Sequence, residues 1–272
     1  MKIILYIIFT SILIIFAGCE DVSVVNPDLS YKQYIVVRAE LVAGQDFTGV
    51  KFTRTQPLNQ QYNSASANIA SNVTAYLKVN GVQVIPLYHA GNGIYLASDR
   101  IRIQSGYTYE LFAEVDGSGI YSFTRIPEKP TVVSTQVVND SYFQANVKTN
   151  PDEVYGAVWE IYNSSGIGVV VESASDFQEI VQNTDAYNTA PIPVNTIDLP
   201  DKYRSSNYSD LWYVRVYAYD TPYLKYFRTR NNNQPVSDVF SQGGDQVIWN
   251  VVGNNAIGMF IGVAKGDYVK VP

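Results

Sequence analysis

Apolar residues recur at every second position in short runs along this chain, and Gly, Pro, Asn and Asp separate the runs. A period of two puts alternate side chains on opposite faces of an extended strand, so half of each run can face a core. Over 35–41, Ile35, Val37, Ala39 and Leu41 alternate with Val36, Arg38 and Glu40. Val50 and Phe52 belong to a second run that Pro57 ends. Segments 74–79 and 82–87 flank Asn80-Gly81, a pair that tolerates the positive φ angles of a type I′ hairpin turn. Tyr107, Tyr109, Leu111, Ala113 and Val115 alternate again. They meet the run 120–126 across Asp116-Gly117-Ser118-Gly119, read as a longer glycine-bearing hairpin. Strands this short and closely spaced predict a β-sandwich over residues 31–129.

Pro127 and Pro130 punctuate the chain before a second series of strand signals at 131–138, 142–148 and 154–162. In the last of these, Tyr155, Ala157, Trp159 and Ile161 share one face. Further strands are expected at 169–172, 211–219, 247–252 and 259–263. Ser175-Asp176 followed by Phe177, Ile180 and Val181 predicts a capped helix of two turns. Thr221-Pro222 predicts a second short helix, running to Arg230. The segment 188–207, rich in Pro, Asn and Asp, reads as a long loop. The expected fold is therefore mainly β: two tandem Ig-like or fibronectin-like β-sandwich domains, 31–129 and 130–272, with one or two short helices in the second.

The N-terminus carries an address. Lys2 precedes an apolar stretch from Ile3 to Phe16, too short to span about 30 Å of hydrocarbon, and Ala17-Gly18-Cys19 follows. That arrangement reads as a lipoprotein signal peptide over 1–18, cleaved before Cys19, whose thiol then carries lipid. Several acyl chains, each contributing about 0.8 kcal/mol per buried methylene, anchor firmly where one chain would not. Residues 19–30 form a tether that begins with the acidic pair Glu20-Asp21. Acidic residues at that place resemble the surface-export signal of Bacteroidetes lipoproteins, which points to the outer membrane and the cell exterior. Cys19 is the single cysteine, so no disulfide can form within the chain and lipid leaves no thiolate for catalysis.

Composition excludes several function classes. The formal net charge is −6 with 16% charged residues and no basic stripe, which argues against nucleic acid as a partner. His89 is the single histidine, and no Gly-x-Ser-x-Gly elbow presents a serine nucleophile. A zinc site needs three or four His, Cys or carboxylate ligands. Asp152, Glu153, Asp198 and Asp201 offer oxygens but no Asp-x-Asp-x-Asp calcium pattern. No metal, cofactor or catalytic residue is expected.

One constellation suits binding. On the run 211–219, Trp212, Val214, Val216 and Ala218 form an apolar face. Tyr213, Arg215, Tyr217 and Tyr219 form the other, an aromatic stripe around a guanidinium. Exposed, such a stripe can stack on a sugar ring or anchor a protein interface. It can equally be a covered sheet face, packed under the 188–207 loop or the 223–230 helix.

Three stretches carry a resemblance. They are Ile103-Gln104-Ser105-Gly106-Tyr107-Thr108-Tyr109-Glu110-Leu111 with the exit Thr124-Arg125-Ile126-Pro127, then Tyr223-Leu224-Lys225-Tyr226, and the terminal segment from Asn254-Asn255-Ala256 through Gly262. In this order along the chain they resemble domain-of-unknown-function family 4249, outer-membrane lipoproteins of Bacteroidetes-type bacteria. The resemblance implies a non-enzymatic accessory or binding component associated with TonB-dependent nutrient uptake, with a TonB-dependent receptor as partner and a glycan or peptide as ligand. The other expectation is a structural or adhesive surface module, similar to a pilus or gliding-adhesin component, working by protein–protein contacts.

Overall fold

The computed structural model describes residues 31–57, 61–162, 170–185, 187, 189–204, 211–230 and 247–272. The signal peptide, Cys19 and the tether expected at 1–30 lie outside the described residues. Residues 33–272 form one compact unit.

The first half builds β1 (Ile35–Val42), β2 (Val50–Arg54), a single helical turn α1 (Ser64–Ala67), β3 (Val73–Val79), β4 (Gln83–Gly91), β5 (Ile94–Ala97), β6 (Thr108–Val115) and β7 (Ser118–Arg125). The turn chemistry follows the residues. Asn80 and Gly81 both take positive φ, and the Val82 N–H closes the turn on the Val79 carbonyl at 3.0 Å. The β3–β4 ladder then resumes at Val79 opposite Gln83, leaving Val82 as an extra residue. The β6–β7 hairpin is tighter than its four-residue signal suggested. Asp116 and Gly117 alone make the turn, both at positive φ, and Val115 already pairs with Ser118.

The second half builds β8 (Thr131–Val138), β9 (Tyr142–Lys148), β10 (Glu153–Tyr162), β11 (Val170–Ser173), β12 (Val181–Gln182), β13 (Ile192–Asn195), a 3₁₀ turn (Asp201–Tyr203), β14 (Trp212–Asp220), α2 (Pro222–Thr229), β15 (Val251–Gly253) and β16 (Ala256–Lys270). Three expectations are corrected here. The segment 175–181 is not a helix: Phe177 and Ile180 lie flat over β10, and Val181 pairs with Tyr155. The 188–207 loop contains β13, because Val194 is fully buried and pairs with Ala145 of β9. Its Pro193 sits on an edge strand, where a missing N–H is tolerated. The last strand, expected over 259–263, is 15 residues long.

Thirteen strands among the described residues join one sheet, in the order β11-β10-β14-β16-β1-β2-β5-β4-β3-β6-β7-β15, with β12 also on β10. A second sheet, β13-β9-β8, covers one end of it. Sheet faces packed on each other this way give the expected β-sandwich, with two main cores. Val37, Phe52, Leu77, Tyr109, Leu111 and Phe260 lie in the first. Phe143, Tyr155, Trp159, Trp212 and Val214 lie in the second.

The two halves are joined through β16. Its residues 256–263 pair in parallel with β1, and its residues 263–270 pair antiparallel with β14. Gly258 makes the first pairing possible. It sits at φ +137, and a Cβ there would lie 1.9 Å from the Val37 carbonyl oxygen. Gly258→Ala should therefore cost about 3–5 kcal/mol of unfolding free energy, combining backbone strain with forced separation of β1. Gly44→Ala, at φ +73 with nothing within 4 Å, should cost only about 1 kcal/mol. Urea titrations of the two variants check the contrast, and equal losses would contradict it.

Candidate functional site

The outward faces of β1 and β16 form the floor of a cleft. Val37 and Leu41 point into the first core, so Val36, Arg38 and Glu40 point the other way. Parallel register places Ile257 beside Val36, Met259 beside Arg38 and Ile261 beside Glu40. The cleft encloses about 650 Å³, and its walls are Tyr219 of β14, Tyr223 and Tyr226 of α2, and Trp249.

Local chemistry explains how the walls stand. Pro222 at the first helical turn starts α2 directly after β14. The Thr221 hydroxyl donates to the Asp152 carbonyl at 2.7 Å and does not cap the helix. At the other end of α2, the Thr229 hydroxyl donates to the Lys225 carbonyl and accepts from the Ile248 N–H at 2.9 Å. Asn250 then clamps β16, with its amide donating to the Phe260 carbonyl and its oxygen accepting from the Phe260 N–H. Trp249 lies between these two anchors, with its ring 5.3 Å from that of Tyr226.

A small third core supports the walls. Val154, Ile180, Tyr219, Leu224, Ile261 and Val263 are buried in it. Gly156 is required there, since a Cβ would meet Phe177 Cδ1 at 2.6 Å and Ile180 Cδ1 at 2.7 Å. Tyr219 and Tyr223 stack with centroids 3.9 Å apart and planes 12° from parallel. Burial pushes the Tyr223 phenol up to about 12 and raises Tyr217 and Tyr219 as well. All three phenols are therefore neutral hydroxyls at physiological pH.

Where β14 ends, a buried carboxylate takes over from the ladder. Tyr219 is its last residue paired with β16, and the next, Asp220, is only 8% exposed. One of its oxygens accepts from the Thr124 hydroxyl and the Arg125 N–H, both at 2.9 Å. The other accepts from the Thr221 N–H. The Thr124 hydroxyl in turn accepts from the Gly262 N–H at 2.8 Å. One carboxylate thus ties β7, β14, α2 and β16 together beneath the cleft. Burial raises the Asp220 carboxyl above the ordinary aspartate range, against the pull of its three donors.

The stripe Tyr213, Arg215, Tyr217 and Tyr219 does share one sheet face, but it is not a free platform. Tyr219 is buried and joins the cleft wall. Tyr217 packs edge-on against Phe177 at 5.6 Å. Arg215 donates to the Gly266 carbonyl and to the Tyr268 hydroxyl, with its guanidinium 4.5 Å from the Tyr268 ring centre. Tyr213 meets the Tyr162 ring at 5.0 Å. Over Tyr217 and Tyr219 the cover is α2 and the 175–181 segment. His89 lies on β4, exposed, with its ring 5.3 Å from that of Tyr95. Among the described residues no three His, Cys, Asp or Glu side chains gather as a metal site. Asp198 and Asp201 face Arg204.

Sequence reasoning missed Arg38, Glu40, Tyr226 and Trp249 as cleft residues. Alternation already turned Arg38 and Glu40 outward, yet no local signal announces that β1 pairs with a strand more than 200 residues later.

Asp220→Ala should cost about 2–4 kcal/mol, because three buried donors lose their acceptor. Wild type should also gain stability relative to the non-titrating Asp220→Asn chain as pH falls through the raised folded pKa towards the ordinary aspartate value. The folded state holds the proton more tightly there, so the gain is lost again as pH rises. Denaturant melts from pH 3.5 to 7 measure both effects, and a pH-independent gap would contradict the second.

Neither a curated protein nor a solved structure matches the chain. The model of the family described as domain of unknown function (DUF4249) matches residues 22–268, and the chain belongs to that family.

Proposed function

We propose that this chain is a lipid-anchored outer-membrane lipoprotein that binds a nutrient or partner beside a TonB-dependent transporter and performs no chemistry on it. The observation that carries the binding half is the aromatic cleft. At about 650 Å³ its size is ordinary for a small-molecule site, and its apolar floor and rigid aromatic walls have a few polar groups among them. Among the described residues Glu40 is the one carboxylate in its lining, where acid–base chemistry on a sugar would call for a pair. The anchoring half rests on Cys19 and the lipobox-like Phe16-Ala17-Gly18 before it.

A different face favours the second reading, a structural or adhesive module. Pro86, Tyr76, Phe112, Tyr121 and Val252 stand in one row across β4, β3, β6, β7 and β15. Tyr121 and the neighbouring Phe123 are about two-fifths exposed. Such a row suits contact with another protein.

The full chain, tagged at its C-terminus in a host of its own kind and solubilised in mild detergent, separates the readings. A TonB-dependent receptor should co-purify, and Cys19→Ser should move the protein from the membrane to the soluble fraction. Self-assembled polymers without a receptor would support the adhesive reading. An unchanged membrane location for Cys19→Ser would overturn the anchor.

A further inference from the structure

We propose that the aromatic cleft takes a short zwitterionic peptide, its free carboxylate at Arg38 and its free ammonium at Glu40. The inference rests on the cleft being a binding site and names the chemistry of its ligand.

The warrant is a charge pattern that the protein leaves uncompensated. Arg38 and Glu40 are both exposed in the cleft lining, and neither has an ion-pair or hydrogen-bond partner among the described residues. Lys51 of β2 stands directly opposite Arg38 and is also without a partner among them. Like charges directly opposed across strands destabilise a sheet. Arg38, with Lys51 adding positive charge from beside the cleft, is therefore an anion site in waiting, and a carboxylate fits Arg38 through two parallel hydrogen bonds. Two residues along the same face, Glu40 presents the opposite charge. That step is roughly 6.5–7 Å along a strand. An extended dipeptide spans about 7 Å between its ends. A dipeptide matches that backbone spacing, whereas the ammonium and carboxylate of a free amino acid, attached to one carbon, would require the two side chains to converge.

The walls favour the same occupant. Tyr219 and Tyr223 stack on each other, which takes one face of each ring away from a pyranose. Tyr226, Trp249, Ile257 and Met259 instead offer an apolar surface to peptide side chains.

Trp249 reports on the site, because Trp159 and Trp212 are buried in the second core. Its fluorescence in the purified full chain should shift on titration with Leu-Phe. N-acetylation or C-amidation of that dipeptide should each weaken binding about tenfold, the size of one charge-assisted contact. Arg38→Gln should erase the penalty of amidation while keeping that of acetylation, and Glu40→Gln should do the converse. Both side chains are exposed, so neither variant should unfold the chain. Equal binding of free and doubly blocked peptide, or no binding of any peptide, would overturn the proposal. Binding of cellobiose in its place would overturn it too, but would leave the cleft standing as a ligand site. Failure of the receptor to co-purify bears on the transport reading alone.

Discussion

The C-terminal strand β16 belongs to both cores, and the rest of the structure depends on that sharing. Phe260 fills the first core, Ala264 lies in the second with Val271 just past the strand's end, and Ile261 and Val263 lie under α2. A strand buried this way cannot leave one sandwich without opening the other. Its edge beyond β14 is completed by side chains in place of a ladder. Asn250 serves Phe260, and the Asp220–Thr124 pair serves Gly262. A Cβ at Gly262 would come within 2.5 Å of the Arg125 carbonyl oxygen, which shows how closely β7 approaches that edge. The two sandwiches are therefore one folding unit, although each has its own hydrophobic centre.

The cleft is a consequence of the same strand. Its floor exists because β1 lies parallel to β16, and its walls exist because β14 ends beside β16 and turns at once into α2. Residues from positions 36 to 261 meet there. The site needs the whole fold, so substitutions in the buried Asp220 network should disturb ligand contacts as well as stability. The charges in the cleft behave differently. Arg38 and Glu40 of the lining have no partner among the described residues. Lys51, beside Arg38 on β2 but outside the lining, opposes it with like charge at some cost in stability, which suits residues whose partner arrives from outside.

Much of the strand layout was legible in the sequence because local rules decide it. Residues 142–148 alternate cleanly and 131–138 are rich in β-branched Val and Thr, and they became β9 and β8 at those bounds. Asn80-Gly81 announced its turn through the positive φ angles that both residues tolerate. The failures share a cause: tertiary packing overrode local signals. Asp176 and the spacing of Phe177 and Ile180 suggested a helix, yet the bare Gly156 below draws both side chains onto β10. Ile192–Asn195 carries a proline and reads as loop, but the exposed edge of β9 accepts it as a strand. In β16 the alternation is interrupted by Gly258, Gly262 and Gly266, residues needed where other backbones approach closely. The strip Tyr213–Tyr219 was readable as a shared face, and the helix that follows it was readable as one possible cover, whereas the contribution of Phe177 was not, because that contact joins residues 40 apart in sequence.

Calorimetry of the purified chain tests the central claim, that β16 makes both sandwiches one cooperative structure. A single transition is expected, with equal calorimetric and van't Hoff enthalpies. Two resolved transitions, one for each core, would contradict it.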